Sequence, residues 1–241
     1  MLGRTYAGQA ARRPDMGRTS MVRHDGRRAA LAFLIVSLLM TLVTPLRAQD
    51  TKTRPLTLVA FGDSLTAGYG LPADAAFPVQ LEAALKAKGH AVTVANAGVS
   101  GDTATGGLDR VEWSVPDGTD GVILELGAND MLRGTDPAVT EKALDAIIAK
   151  LKTRGVPVLL AGMRAAPNLG PDYGKRFDAI FPRLAERYGL ILYPFFLDGI
   201  AGDRGLNLAD GLHPTRAGVA RVVAGILPSV EDFLTRLRKG A

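Results

Sequence analysis

The sequence predicts one doubly wound α/β domain built on a five-stranded parallel sheet. Three observations carry the prediction. Five short apolar runs recur along the body of the chain: Leu56–Phe61, Ala91–Ala95, Gly121–Leu126, Val156–Ala161 and Leu190–Phe195. Segments with helical apolar spacing separate them. The runs are nearly continuous rather than alternating, as strands buried on both faces require, and strands that alternate with helices build parallel sheets covered on both sides.

Each element follows in order. Leu56–Phe61 is the first strand, and Gly62 ends it in a tight turn. Phe77–Lys88 reads as a helix with Val79, Leu81, Ala84 and Leu85 as apolar positions, closed by Gly89. After the second strand, Thr103–Trp113 reads as a helix with Leu108 and Val111 inward. After the third, Asp136-Pro137 opens a long helix to about Arg154, with proline in its first turn. Its apolar stripe is Val139, Leu144, Ile147, Ile148 and Leu151. Tyr173–Tyr188 is the helix after the fourth strand. Following the fifth, Asp198–Gly211 is a loop rich in Gly, Asp and Asn. Thr215–Arg238 is the terminal helix, which Pro228 is expected to kink or break. No internal repeat, linker or low-complexity segment interrupts this order.

The formal net charge of +5 is unevenly spread. Eight of the 29 basic residues and two of the 24 acidic ones fall in residues 1–48, a net of +6. The remaining 21 and 22 leave the body at −1. The body therefore offers no electrostatic case for nucleic acid. The leader is ordered as a secretory signal: basic residues to Arg27-Arg28, an apolar run from Ala29 to Val43, then Pro45-Leu46-Arg47-Ala48. Cleavage is expected near Ala48, with residues 49–241 as the mature domain, Met21 as an alternative start, and export to a bacterial periplasm. An uncleaved N-terminal anchor is the alternative. No cysteine is present, so disulfides and thiolate chemistry are excluded.

Four short segments carry the chemistry: Gly62-Asp63-Ser64-Leu65, Ser100-Gly101-Asp102, Gly127-Ala128-Asn129-Asp130 and Asp210-Gly211-Leu212-His213-Pro214. The first three follow strands, so they share the rim where open α/β sheets bind ligands. Ser64 is a candidate nucleophile, and a serine hydroxyl needs a base. Of three histidines, His24 is in the leader. His90 precedes a strand, on the opposite rim, and is read as solvated. His213 remains, with Asp210 three residues before it to orient the ring, giving Ser64, Asp210 and His213 in that chain order. An Asp that caps a helix beside an incidental His is the bland alternative. An oxyanion needs donors, and the Ser64 N–H, the Gly101 N–H and the Asn129 side-chain amide are the candidates.

These blocks, in this order and spacing, resemble the SGNH hydrolases, also called GDSL esterases and lipases. The resembling stretches are Phe61–Tyr69, Asn96–Thr103, Glu125–Gly134 and Asp210–Pro214. Within the family the chain is most similar to the bacterial thioesterase I, lysophospholipase L1 and arylesterase group. The resemblance implies a flavodoxin-like three-layer α/β/α sandwich. It also implies Ser64, Asp210 and His213 as catalytic residues, and Ser64, Gly101 and Asn129 as the oxyanion hole. Neither cofactor nor metal is required. Ala128 departs from the group, which often has a second glycine there.

Weaker expectations surround this centre. Asp63 caps the turn after the strand, and Asp130 orients the Asn129 loop. Met131 and Leu132 either line an acyl groove or form an ordinary turn; Met163 and Pro167 are candidates for the same lining. Trp113 is expected in core or surface packing rather than in substrate contact, and Phe195-Phe196 in closing the core rather than binding lipid.

The expected substrate is a small acyl ester or thioester, compatible with transient contact with membrane lipid; the oligomeric state stays open. Three rivals remain. One is a deacetylase of acetylated sugars on the same fold. Another is a metal-dependent phosphoesterase with Asp63, Asn129, Asp210 and His213 as ligands. The third is a non-catalytic lipid- or carbohydrate-binding module.

Overall fold

A computed structural model describes residues 54–240. The expected leader at 1–48, with its cleavage point, lies outside the described residues. Within them the chain runs β1 (Leu56–Gly62), α1 (Ser64–Ala67), α2 (Phe77–Ala87), β2 (Val92–Gly98), α3 (Ala104–Ser114), β3 (Gly121–Glu125), α4 (Ala128–Leu132) and α5 (Pro137–Thr153). It continues with β4 (Val158–Ala161), α6 (Pro171–Asp178), α7 (Ile180–Tyr188), β5 (Ile191–Tyr193) and α8 (Arg216–Lys239). The five strands form one parallel sheet in the order β2-β1-β3-β4-β5.

That order places a switch point beside β1. The chain winds from β1 to β2 on one side, then crosses to β3 on the other. With right-handed crossovers the connecting helices must cover opposite faces. Accordingly α2 packs with α8, while α3 packs with α5 and α5 with α7. The result is the expected α/β/α sandwich. β1 and β3 are buried along nearly their whole length, so Leu58, Phe61, Ile123 and Leu124 sit at the centre of the core. The strand register pairs Gly62 with both Gly98 and Glu125, which brings three strand ends to one level. The segments that carry Ser64, Gly101 and Asn129 leave the sheet from that level.

Several local expectations need correction. Val79 and Val139 belong to no buried stripe; they are 44% and 49% exposed. α2 buries Phe77, Pro78, Leu81 and Leu85 instead, and α5 fills the place of Val139 with Thr140 and Ala143. Leu108 packs only partly against the core. Of the two places expected for Trp113, it takes the surface. The helix over 173–188 is two helices meeting at Ala179. Pro228 does not end α8, which runs unbroken from Arg216 to Lys239. Val222, Val223 and Ile226 before the proline, and Val230, Phe233 and Leu234 after it, are all buried. That burial outweighs one missing backbone bond, a cost of about 3 kcal/mol.

Candidate active site

β1 delivers Ser64. The strand ends at Gly62 because nothing larger fits there: a Cβ would collide with Thr66 Oγ1 and with the Glu125 backbone and carboxylate. The chain turns at once into the single-turn helix α1, with Asp63 as its N-cap accepting from Leu65 N at 3.0 Å. Ser64 is thereby fixed as the first residue of a helix, at the carboxyl end of a central strand.

His213 arrives from the other end of the sequence. The loop before α8 is pinned by Asn207, whose buried amide donates to the carbonyls of Ile200 at 2.7 Å and Asp203 at 2.8 Å. Asn207 also bridges to Pro214, and Leu208 N donates to His213 O at 2.7 Å. The segment is a loop, as expected, and these bonds make it an ordered one. Within it Asp210 Oδ1 accepts the backbone N–H groups of Leu212 at 2.9 Å and His213 at 3.0 Å. Its Oδ2 lies 2.7 Å from His213 Nδ1, and His213 Nε2 lies 3.0 Å from Ser64 Oγ. The His213 and Leu212 N–H groups, with the imidazole, pull the Asp210 carboxyl down to about 2. Tyr69 lies against the imidazole at 4.5 Å between ring centroids, half-exposed.

β2 and β3 bring the remaining groups. Gly101 sits in the turn after β2 with φ +87°, a conformation that suits glycine and leaves its N–H unobstructed by a side chain. Asn129 is the second residue of α4, and its Nδ2 donates to Asp63 Oδ2 at 3.0 Å and to Asp102 O at 2.9 Å. Asp130 is buried and accepts from Ala104 N at 2.8 Å and Thr140 Oγ1 at 3.0 Å, tying α4 to α3 and α5. Asp63 does cap its turn, but it also holds the Asn129 amide. Burial raises the Asp63 carboxyl to about 6, against the opposing pull of Leu65 N–H and Asn129. Behind it Glu125 is completely buried, bonded at Oε2 by Thr66 Oγ1 at 2.7 Å. Burial, together with Asp63, pushes the Glu125 carboxyl well above its ordinary range.

A cavity of about 440 Å³ opens beside Ser64 and His213. Met131, Leu132, Met163 and Pro167 all line it, so the turn after Asn129 is a wall of the cavity. Phe195 lines it too, whereas Phe196 is buried in the core, so the two adjacent phenylalanines divide between wall and core. A larger cavity, about 540 Å³, lies at the opposite end of the sheet between Leu56, Val156 and Phe233, away from all of these groups.

Among the described residues, no group of three or more His, Asp or Glu is placed to hold a metal ion. Sequence reasoning gave no role to Arg110, Asn207 or Tyr69, and it placed Phe195 with Phe196 in closing the core, whereas Phe195 is a wall of the cavity. The first two lack a motif, and Phe195 is told from Phe196 only by the direction of the chain after β5.

The family model described as GDSL-like Lipase/Acylhydrolase family matches residues 60–221. The chain belongs to that family. Esterase TesA of Pseudomonas aeruginosa is 36% identical over 179 residues, covering 74% of this chain and 89% of its own. Thioesterase 1/protease 1/lysophospholipase L1 of Escherichia coli K12 is 38% identical over 169 residues, covering 66% and 76%. The crystal structure of AlinE4, an SGNH-hydrolase family esterase, superposes with a TM-score of 0.64 at 44% identity, covering 75% of this chain and 97% of that one. The chain is thus an ester hydrolase of the SGNH type acting on small-molecule esters.

Proposed function

We propose that the protein cleaves esters and thioesters of apolar acyl chains through an acyl-enzyme on Ser64. The observation that carries the reading is the continuous relay from Asp210 through His213 to Ser64 Oγ at the mouth of an apolar cavity. His213 Nε2 takes the serine proton as Oγ attacks the acyl carbonyl, and Asp210 stabilises the imidazolium. The new C–O bond pushes charge onto the carbonyl oxygen, which the N–H groups of Ser64 and Gly101 and the Asn129 amide receive. Both Asn129 protons are already engaged, so the oxyanion shares one or displaces Asp102 O. Collapse breaks the bond to the leaving alcohol or thiol, which takes the proton from His213. Water, deprotonated by the same histidine, then releases the acid.

The acyl chain lies in the cavity walled by Met131, Leu132, Met163, Pro167 and Phe195. An apolar space of this volume suits a chain longer than acetyl and disfavours the acetylated-sugar reading. Thioester and lysophospholipid cleavage are named activities of the Escherichia coli relative. The order of residues 1–48 supports export with cleavage near Ala48, which mass spectrometry of the mature N-terminus tests.

Ser64→Ala should abolish hydrolysis of p-nitrophenyl esters and labelling by a fluorophosphonate. Residual labelling elsewhere with retained turnover would sink the proposal. A panel of p-nitrophenyl esters and acyl-CoA thioesters of graded chain length then ranks the substrates; a preference for acetyl would favour the sugar-ester alternative.

A further inference from the structure

One buried cation ties the ends of β1 and β2 together from below. Arg110, on α3, is 5% exposed, and its guanidinium reaches four acceptors. Nη2 donates to Gly62 O at 2.8 Å, at the end of β1 directly before Asp63-Ser64. Nη1 donates to Ala97 O at 2.9 Å, near the end of β2, and to Ser114 Oγ at 3.1 Å. Nε donates to Asp102 Oδ2, beside Gly101. The backbone carbonyl of that same Asp102 receives the Asn129 amide. The guanidinium carbon stands 4.1 Å from the centroid of the Phe61 ring, which fixes its plane.

Burying a charge is costly unless every donor finds a partner in good geometry. The feature satisfied here is planarity with donors on three separate nitrogens, a shape that lysine lacks. Gly62 O also accepts Val99 N at 3.0 Å, so the β1 and β2 exits are bonded to each other and both to Arg110. The Ser64 and Gly101 turns are thereby joined both directly and through one side chain that lines no part of the cavity. We propose that Arg110 is the positioning residue of the oxyanion site, holding the Ser64 and Gly101 N–H groups at their spacing and, through Asp102, aiming the Asn129 amide. The proposal rests on the oxyanion reading given above.

Such a role predicts damage to the transition state rather than to substrate binding. Arg110→Lys and Arg110→Gln are compared with wild type on p-nitrophenyl butyrate, with melting temperature and circular dichroism confirming the folded fraction. A misplaced oxyanion site should lower kcat by about ten- to a hundredfold, with KM within about threefold. An alkylboronic acid, which forms a tetrahedral adduct on serine, should lose affinity in parallel with kcat. The fatty acid product should inhibit as before. Folded variants with wild-type kcat, or with equal losses for boronate and product, would overturn the proposal.

Should both variants fail to fold, Asp102→Asn keeps the side-chain shape and removes the carboxylate from Nε. It is expected to lower kcat by about three- to tenfold with the same boronate signature, and unchanged kcat overturns the proposal. Wild-type turnover that is lost in Ser64→Ala supports the assigned function independently. If that control fails, the functional reading falls; if it holds while the Arg110 and Asp102 variants turn over normally, the positioning role alone falls.

Discussion

The two ends of the sheet carry matching parts and differ in chemistry. Each has a cavity, and each has a histidine beside a carboxylate. At the strand carboxyl ends, His213 Nδ1 lies 2.7 Å from Asp210 and its far nitrogen faces Ser64. At the other end, His90 Nε2 lies 3.1 Å from Glu231, whose second oxygen takes Lys88 Nζ at 2.8 Å. The cavity at that end is the larger of the two. Neither an acid–histidine pair nor a volume therefore makes a site. The difference is what the second imidazole nitrogen meets, and whether strand ends supply backbone donors around it. A further contrast follows the first. The Ser64 end buries Asp63, Glu125, Asp130 and Arg110, whereas the far end keeps Lys88 and Glu231 in contact with solvent.

The largest expected effect comes from cutting the relay at its solvent side. Asp210→Asn should lower kcat by about 10³- to 10⁴-fold with little change in KM, because the imidazole loses the partner that fixes its tautomer. Stopped-flow or steady-state kinetics on one ester checks it. With its carboxyl held at about 2, Asp210 stays ionised throughout the working range, so the acid limb of the wild-type pH–rate profile does not belong to it. Its contribution to stability is present above the ordinary value of 3.8 and fades as pH falls towards 2. A loss of less than tenfold would erase the distinction between His213 and His90.

The site was more legible in the sequence than its support. Three histidines in 241 residues allowed elimination, and short motifs after apolar runs located Ser64, Gly101 and Asn129. The strands were legible because burial on both faces leaves continuous apolar runs. Arg110 was not, because one arginine in an amphipathic helix reads as a solvated charge until the carbonyls around it are known. Pro228 misled for a related reason: propensity is local, and the packing that overrules it comes from α2 and the sheet. Asp63 was read correctly as a cap, but its second bond to Asn129 joins residues 66 apart, a separation no local pattern reports.

The buried acids give the next effect in size. Glu125 Oε1 has no hydrogen-bond partner among the described residues, and burial raises the carboxyl well above its usual value. A raised folded value means that the folded state holds its proton more tightly than the unfolded chain does. Stability is then fully present below the ordinary carboxylate range, near 4.5, and is lost as pH rises towards the folded value. Glu125→Gln removes that loss while keeping the volume and an acceptor for Thr66. The melting temperature of the variant should therefore rise relative to wild type as pH goes from 5 to 9, by about 2–5 °C over the range. Scanning fluorimetry across that series checks it, and a difference constant with pH would show that Glu125 is not a proton-holding group.

The smallest effect belongs to the far histidine, and its smallness is the point. His90→Gln leaves Glu231 paired with Lys88, and the backbone bond from His90 N to Leu85 O does not depend on the side chain. Lys88 first and His90 second hold the Glu231 carboxyl below its ordinary value. What the pair contributes is therefore present above about 4.5 and fades on acidification. An exposed pair of this kind should shift the melting temperature by about 2 °C or less at pH 7, and less still at pH 4. Ester hydrolysis should stay within about twofold of wild type, since no group of the rim touches α8 at Glu231. A fall in kcat comparable to that of Asp210→Asn would mean that the two ends are coupled through α2 and α8, and that chemistry is not confined to the strand carboxyl ends.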